Sequence, residues 1–168
     1  IIFKALCAAL GYAHANGVVH CDVKPGNVMI DRSGQVFLTD FGVARHAEST
    51  TTTIGAAGTP AYMAPEQILS LETDARADIY AVGILLFRLL VEALPLVAHA
   101  SADELLAAKF SGRDIFTRAP SQANPRLHPD MDAVVAAATA HDPRARYASG
   151  RDFLTALAGY ERKHVGPQ

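Results

Sequence analysis

His20-Cys21-Asp22-Val23-Lys24-Pro25-Gly26-Asn27 runs into Val28-Met29-Ile30, then Asp31-Arg32-Ser33-Gly34, then Gln35–Thr39 and Asp40-Phe41-Gly42, and this stretch decides the fold. Val28–Ile30 and Gln35–Thr39 are short and β-rich, and Asp31-Arg32-Ser33-Gly34 between them is turn chemistry. Two short strands around a tight turn predict a hairpin. Asp22 and Asn27 precede it and Asp40 follows it, so the hairpin should bring these polar side chains near one another.

Outward from the hairpin, the chain is predicted to be mostly helical. Residues 1–16 are apolar at helical spacing (Ile2, Leu6, Ala9, Leu10, Ala13), and Asn16-Gly17 supplies a stop. From about Ala44 to Thr59 the sequence is small and polar with no periodicity, which marks a functional or irregular segment. Further helices are predicted over Pro65–Leu71, Ala75–Ala93, Ala102–Phe110, Met131–Ala140 and Ser149–Tyr160, several opening at Ser or Asp caps. The end, ERKHVGPQ, is polar and expected to fray.

Composition sets the class. The 168 residues are 50% hydrophobic and 19% charged, which suits one folded globular domain and excludes disorder. A net charge of −2 gives no electrostatic basis for nucleic-acid binding. Two cysteines, Cys7 and Cys21, make no disulfide framework, and a reducing setting follows. The seven histidines (His14, His20, His46, His99, His128, His141, His164) never fall at close ligand spacing, which argues against structural zinc. The apolar run Ile79–Phe87 meets Arg88 and Glu92 before Pro95, too short to span a membrane, and reads as a buried helix. IIFKALCAAL has no basic segment before it, unlike a signal peptide, and opening on Ile1 reads as starting partway into something larger.

Phosphoryl transfer requires a carboxylate to orient a hydroxyl and take its proton, oxygen ligands for Mg²⁺, and a cation for the phosphate. The 20–27 block supplies an Asp, a Lys two residues on and an Asn five residues on, and Asp40-Phe41-Gly42 adds a second carboxylate with a glycine behind it. The first block resembles the protein-kinase catalytic loop H-R-D-x-K-P-x-N, and the second is the D-F-G motif. Gly58-Thr59-Pro60-Ala61-Tyr62-Met63-Ala64-Pro65-Glu66 is similar to the substrate-binding loop ending in A-P-E. Asp78–Gly83 resembles the start of the family's central helix, and His141–Tyr147 the D-P-x-x-R motif. Each motif alone is weak; five in order are specific. The phrases GVVHCDVKPGNVMI and GTPAYMAPEQ look closest to bacterial receptor-type Ser/Thr kinases.

The resemblance implies a mainly α, kinase-like C-terminal lobe over residues 1–160, with the hairpin carrying the catalytic and metal loops and a polar tail at 161–168. By it Asp22 is the catalytic base and Lys24 contacts the transferred phosphate. Asn27 and Asp40 hold Mg²⁺, Met29 lies under the adenine of ATP, and Thr59 bridges Asp22 and Lys24. Lys24 and Thr59 both imply Ser/Thr rather than Tyr substrates. Glu66 and Arg146 form a buried ion pair, Asp78 anchors the catalytic-loop backbone, and His20 and Phe41 pack. Thr50, Thr51, Thr52 and Thr53 lie where activating phosphorylation occurs, although a run of this composition also suits a plain linker. The implied partners are protein substrates and an N-terminal lobe, and the implied setting is cytoplasmic, including the cytoplasmic part of a membrane-anchored kinase.

Two departures stand out. Cys21 replaces the family's arginine, which pairs with a phosphorylated loop through charge-assisted bonds. Phosphorylation of Thr50–Thr53 should therefore switch activity weakly. The 168 residues also contain no G-x-G-x-x-G loop, no V-A-I-K lysine and no partner glutamate, so the N-lobe is expected upstream of Ile1 and the isolated piece is expected to be inactive. The face of the first helix that this lobe covers should then be exposed. Two other readings compete: a lobe-only scaffold that binds a partner, and a small-molecule phosphotransferase of the aminoglycoside or choline type. The intact Asp22, Lys24, Asn27 and Asp40 set weighs against the first, and the K-P and G-T-P-x-Y elements against the second.

Overall fold

The computed structural model describes residues 2–41, 45–46, 60–69, 72–93 and 101–165. Its elements are α1 (Ile2–Ala15), β1 (Val18–Val19), a 3₁₀ turn at Pro25–Asn27, β2 (Val28–Ile30), β3 (Val36–Leu38) and β4 (Arg45–His46), followed by helices. These are α2 (Pro65–Ile68), α3 (Ala75–Val91), α4 (Ala102–Phe110), α5 (Pro120–Ala123), α6 (Asp130–Ala138) and α7 (Gly150–His164), with a 3₁₀ turn at Pro143–Ala145 between the last two.

α3 is the axis. It is apolar nearly all round, and residues 77–87 are all buried, as a helix without a polar face must be. Its start is set by Asp74, whose carboxylate accepts from the Arg76 N–H (2.8 Å), and its end by Glu92 in the left-handed region (φ 59°). α1 and α6 pack against it; to the shared core α1 adds Leu6, Cys7 and Leu10, and α6 adds Val134, Val135 and Ala138. Each such Leu, Ile or Val contributes roughly 1.5–3 kcal/mol of burial. Gly83 lets α6 approach: a Cβ there would lie 2.8 Å from both Ala138 Cβ and Thr139 Cγ2. Gly150 does the same where α7 meets α1, since its Cβ would fall 3.0 Å from the Cys7 carbonyl.

β2 and β3 form the hairpin, antiparallel with Val28 opposite Leu38, Met29 opposite Phe37 and Ile30 opposite Val36. Asp31 closes the turn: its Oδ1 accepts from the Ser33 and Gln35 N–H groups (2.8 and 2.9 Å) and from Ser33 Oγ (2.6 Å). These donors hold its carboxyl below the ordinary range. Gly34 takes the positive φ (83°) the turn needs.

Two features differ from the expectations. Arg45–His46 lies in the segment expected to be irregular, yet it pairs with β1, Val18 opposite His46 and Val19 opposite Arg45. α7 continues to His164, four residues beyond Tyr160, because Lys163 Nζ and His164 Nε2 reach Asp130 Oδ2 on α6 (2.7 and 2.8 Å). Among the described residues, exposed large apolar side chains are spread over several elements: Tyr12 on α1, Met29, Ile30 and Phe37 on the hairpin, Leu89 on α3, Phe110 on α4, and Phe41 and Val165 beside them in the chain. Among the described residues no helix is long and apolar enough to cross a membrane.

Candidate active site

The loop between β1 and β2 is held from beneath by one carboxylate. Asp78, 1% exposed in the first turn of α3, accepts from the His20 N–H at Oδ2 (2.9 Å) and from the Cys21 N–H at Oδ1 (2.9 Å). His14 Nε2, from the last turn of α1, also lies 2.7 Å from Oδ2. The Cys21 carbonyl is taken by Gln67 Nε2 on α2 (2.7 Å). Cys21 sits at φ 65°, a left-handed conformation unusual for its type, which these bonds on both sides of it over-determine.

His20 is fully buried. Its Nε2 donates to the Thr39 carbonyl (2.9 Å), so Nδ1 keeps the lone pair and accepts from the Asp22 N–H (3.3 Å). Its ring meets Phe41 at 4.5 Å between centroids. One imidazole thus joins the start of the loop, Asp22 and the far end of the hairpin.

Asp22 Oδ2 accepts from Lys24 Nζ (2.7 Å) and from Asn27 Nδ2 (3.1 Å). Asn27 Nδ2 also donates to the Asp22 carbonyl (2.8 Å), and the Asn27 carbonyl accepts from the Thr39 N–H (2.9 Å). With its amide nitrogen committed twice, buried Asn27 is left with its side-chain oxygen as a ligand atom. Asp40 follows Thr39 directly, exposed and at φ 61°. An amide oxygen and a carboxylate at the two outer ends of one hairpin are hard donors of the type Mg²⁺ takes. Met29 is 58% exposed and lies beside Phe37 across the hairpin.

Arg146 and Glu66 are paired in a fork, Nη1 to Oε1 at 2.6 Å and Nη2 to Oε2 at 2.8 Å, with the guanidinium over the Tyr80 ring. Arg146 also donates to the carbonyls of Ala140 (2.7 Å), Arg76 (3.0 Å) and His141 (3.2 Å). This ties α2 to the 140–146 turn and to α3. Thr50, Thr51, Thr52, Thr53 and Thr59 lie outside the described residues.

The sequence reading missed several partners. Gln67 and His14 hold the loop, Arg88 Nη1 donates to Tyr62 Oη (2.5 Å), and Lys109 is buried against residues 60–63. No sequence signal marks these, since each lies on a helix where a polar residue suits solvent. A further group, His128, Asp130 and His164, comes together from residues too far apart in sequence for ligand spacing to show. It makes a poor metal site. The two rings stack nearly parallel, 3.8 Å apart, which directs their in-plane lone pairs side by side, and the Lys163 ammonium already occupies Asp130 Oδ2. Lys163 and His164 hold the Asp130 carboxyl down at about 2.

A family model described as the protein kinase domain matches residues 1–155. The chain belongs to the protein kinase family. Among curated proteins, this kinase chain is 41% identical over 149 residues to a probable serine/threonine-protein kinase of Streptomyces coelicolor, covering 86% of the chain and 22% of that protein. It is 38% identical over 163 residues to the serine/threonine-protein kinase PknB of Mycobacterium leprae, covering 95% and 25%. It is 41% identical over 158 residues to PknD of Mycobacterium tuberculosis, covering 92% and 23%. The chain thus spans about a quarter of the length of the curated relatives it matches.

Proposed function

We propose that this kinase chain is the helical C-terminal lobe of a serine/threonine protein kinase and supplies the acid–base and metal-binding residues for phosphoryl transfer from ATP to a protein hydroxyl. The observation that carries the reading is the double hold on Asp22 Oδ2 by Lys24 and Asn27. It fixes the carboxylate and leaves Oδ1 for the proton of an incoming Ser or Thr hydroxyl. The hydroxyl oxygen forms the new bond to the γ-phosphorus, the bond to the ADP oxygen breaks, and the proton passes to Asp22. Lys24, already at Asp22, supplies positive charge where the phosphoryl group transfers. Asn27 and Asp40 would hold Mg²⁺, which when bound neutralises charge on the phosphate oxygens. Exposed Met29 offers an apolar surface for the adenine.

The parts that cover the phosphates, a glycine-rich loop and a β3 lysine, are not among these 168 residues. A partner lobe provides them, and the site works in the cytoplasm. The test is Mg-ATP turnover on a generic protein substrate by the full-length protein that contains this chain. Asp22→Asn should lower kcat by roughly 10²- to 10⁴-fold. The isolated 168-residue chain should show no turnover above its own Asp22→Asn control. A full-length Asp22→Asn enzyme as active as wild type would overturn the reading.

A further inference from the structure

Lys109 is among the largest of the described side chains shut away from solvent, at 1% exposure, and it sits on α4, outside the set that performs the chemistry. Its Nζ donates to three backbone carbonyls, those of Pro60 (2.9 Å), Ala61 (2.8 Å) and Met63 (2.5 Å). Its ammonium also lies 4.9 Å from the centre of the Tyr80 ring. No carboxylate forms an ion pair with it among the described residues. Burial and the Arg146 guanidinium push this amine down to about 7, with Glu66 acting in the opposite sense. A buried ammonium is costly, and here the offsetting partners are carbonyls of one short segment. Three carbonyls converge on one nitrogen, and the ammonium form offers an N–H to each. The held segment runs directly into Ala64-Pro65-Glu66, and Tyr62 within it is held a second time through Arg88.

We propose, on the kinase reading of the 58–66 segment as the substrate-binding loop, that Lys109 is a positioning residue of the reaction: it clamps the loop backbone from α4 and so sets affinity for the protein substrate, not for the nucleotide. The clamp acts on main-chain atoms, so it shapes the surface that meets the substrate backbone without touching Asp22, Lys24, Asn27 or Asp40.

The test uses the full-length kinase and compares Lys109→Met, which keeps the stem and removes the donors, with Lys109→Arg. Lys109→Met is expected to raise KM for a peptide substrate by roughly ten-fold or more, the loss of a charge-assisted hydrogen bond, with KM for ATP unchanged. Amide exchange at Ala61 and Tyr62 should quicken by a similar factor. Lys109→Arg keeps the cation, but its planar fork cannot satisfy three carbonyls that meet at one point, so its peptide KM should lie between the two. An unchanged peptide KM in either variant would overturn the proposal. So would peptide and ATP KM rising together, the mark of a general loss of structure. If wild type showed no turnover above Asp22→Asn, the kinase reading would fall and substrate control by Lys109 with it, while the exchange rates would still report the clamp.

Discussion

Glu66→Ala removes the only carboxylate paired with Arg146 among the described residues and strands a guanidinium whose side chain has no solvent exposure. Three carbonyls remain within its reach, at 2.7, 3.0 and 3.2 Å, and they partly solvate the cation. Breaking a buried pair from one side costs about 3–5 kcal/mol, and the remaining acceptors place this variant near the lower end. Arg146→Met is the harsher change. It leaves the Glu66 carboxylate buried and also abandons those three carbonyls, each worth about 1–3 kcal/mol when dry and unpaired. The expected order is therefore Arg146→Met worse than Glu66→Ala, and the double variant less damaging than the sum. The chain has no tryptophan, so far-ultraviolet circular dichroism during urea and thermal unfolding is the probe. For a domain of this size about 3 kcal/mol lowers Tm by roughly 6–12 °C, with the urea slope unchanged. A Glu66→Ala protein within about 1 kcal/mol of wild type would refute the account, as would the reverse order of the two single variants.

Further outcomes follow from the packing and the anchors. Gly83→Ala should destabilise by about 1–3 kcal/mol despite the better helix propensity of alanine, because the new Cβ would meet Ala138 and Thr139 at 2.8 Å; an unchanged urea midpoint would show that α6 can shift aside. Asp78→Asn replaces one of two accepting oxygens with an amide NH2 donor, so the His20 and Cys21 amides should exchange faster and stability should fall by about 1–3 kcal/mol, as read by hydrogen exchange and urea melts. Unfolding frees Lys109 from a folded value of about 7 to its ordinary 10.5, so the unfolded chain holds more protons between those limits. Stability should therefore rise with pH from about 7 towards 10.5, and less steeply in Lys109→Met; urea midpoints at several pH values that stay flat in wild type would contradict this.

How much could be read beforehand varied with the kind of signal. The hairpin was legible because its turn, Asp31 to Gly34, is local chemistry, and the helices α3 and α4 because Asp74 and Ser101 cap them. Asp22, Lys24 and Asn27 meet because their spacing carries them around one short 3₁₀ turn. The β1–β4 pair was not legible, since two-residue strands have no periodicity and owe their existence to each other. Lys109 was hidden for a related reason. A lysine near the end of a short helix ordinarily suits solvent and the helix dipole, and only the arrival of residues 60–63 from elsewhere turns it inward. The extension of α7 likewise depends on Asp130, which lies 33 and 34 residues from its partners Lys163 and His164.

The anchors share one habit: Asp78 holds the N–H groups of residues 20 and 21, Gln67 the carbonyl of Cys21, and Lys109 the carbonyls of residues 60, 61 and 63. Every amino acid offers the same carbonyl, and every one but proline the same N–H, so these grips are blind to which side chains the held loops carry. A library randomised at half-buried Met63, with the anchors and buried Ala61 left alone, should yield mostly folded proteins that differ in the peptides they accept. The scaffold and the reading head can in that sense be rewritten separately.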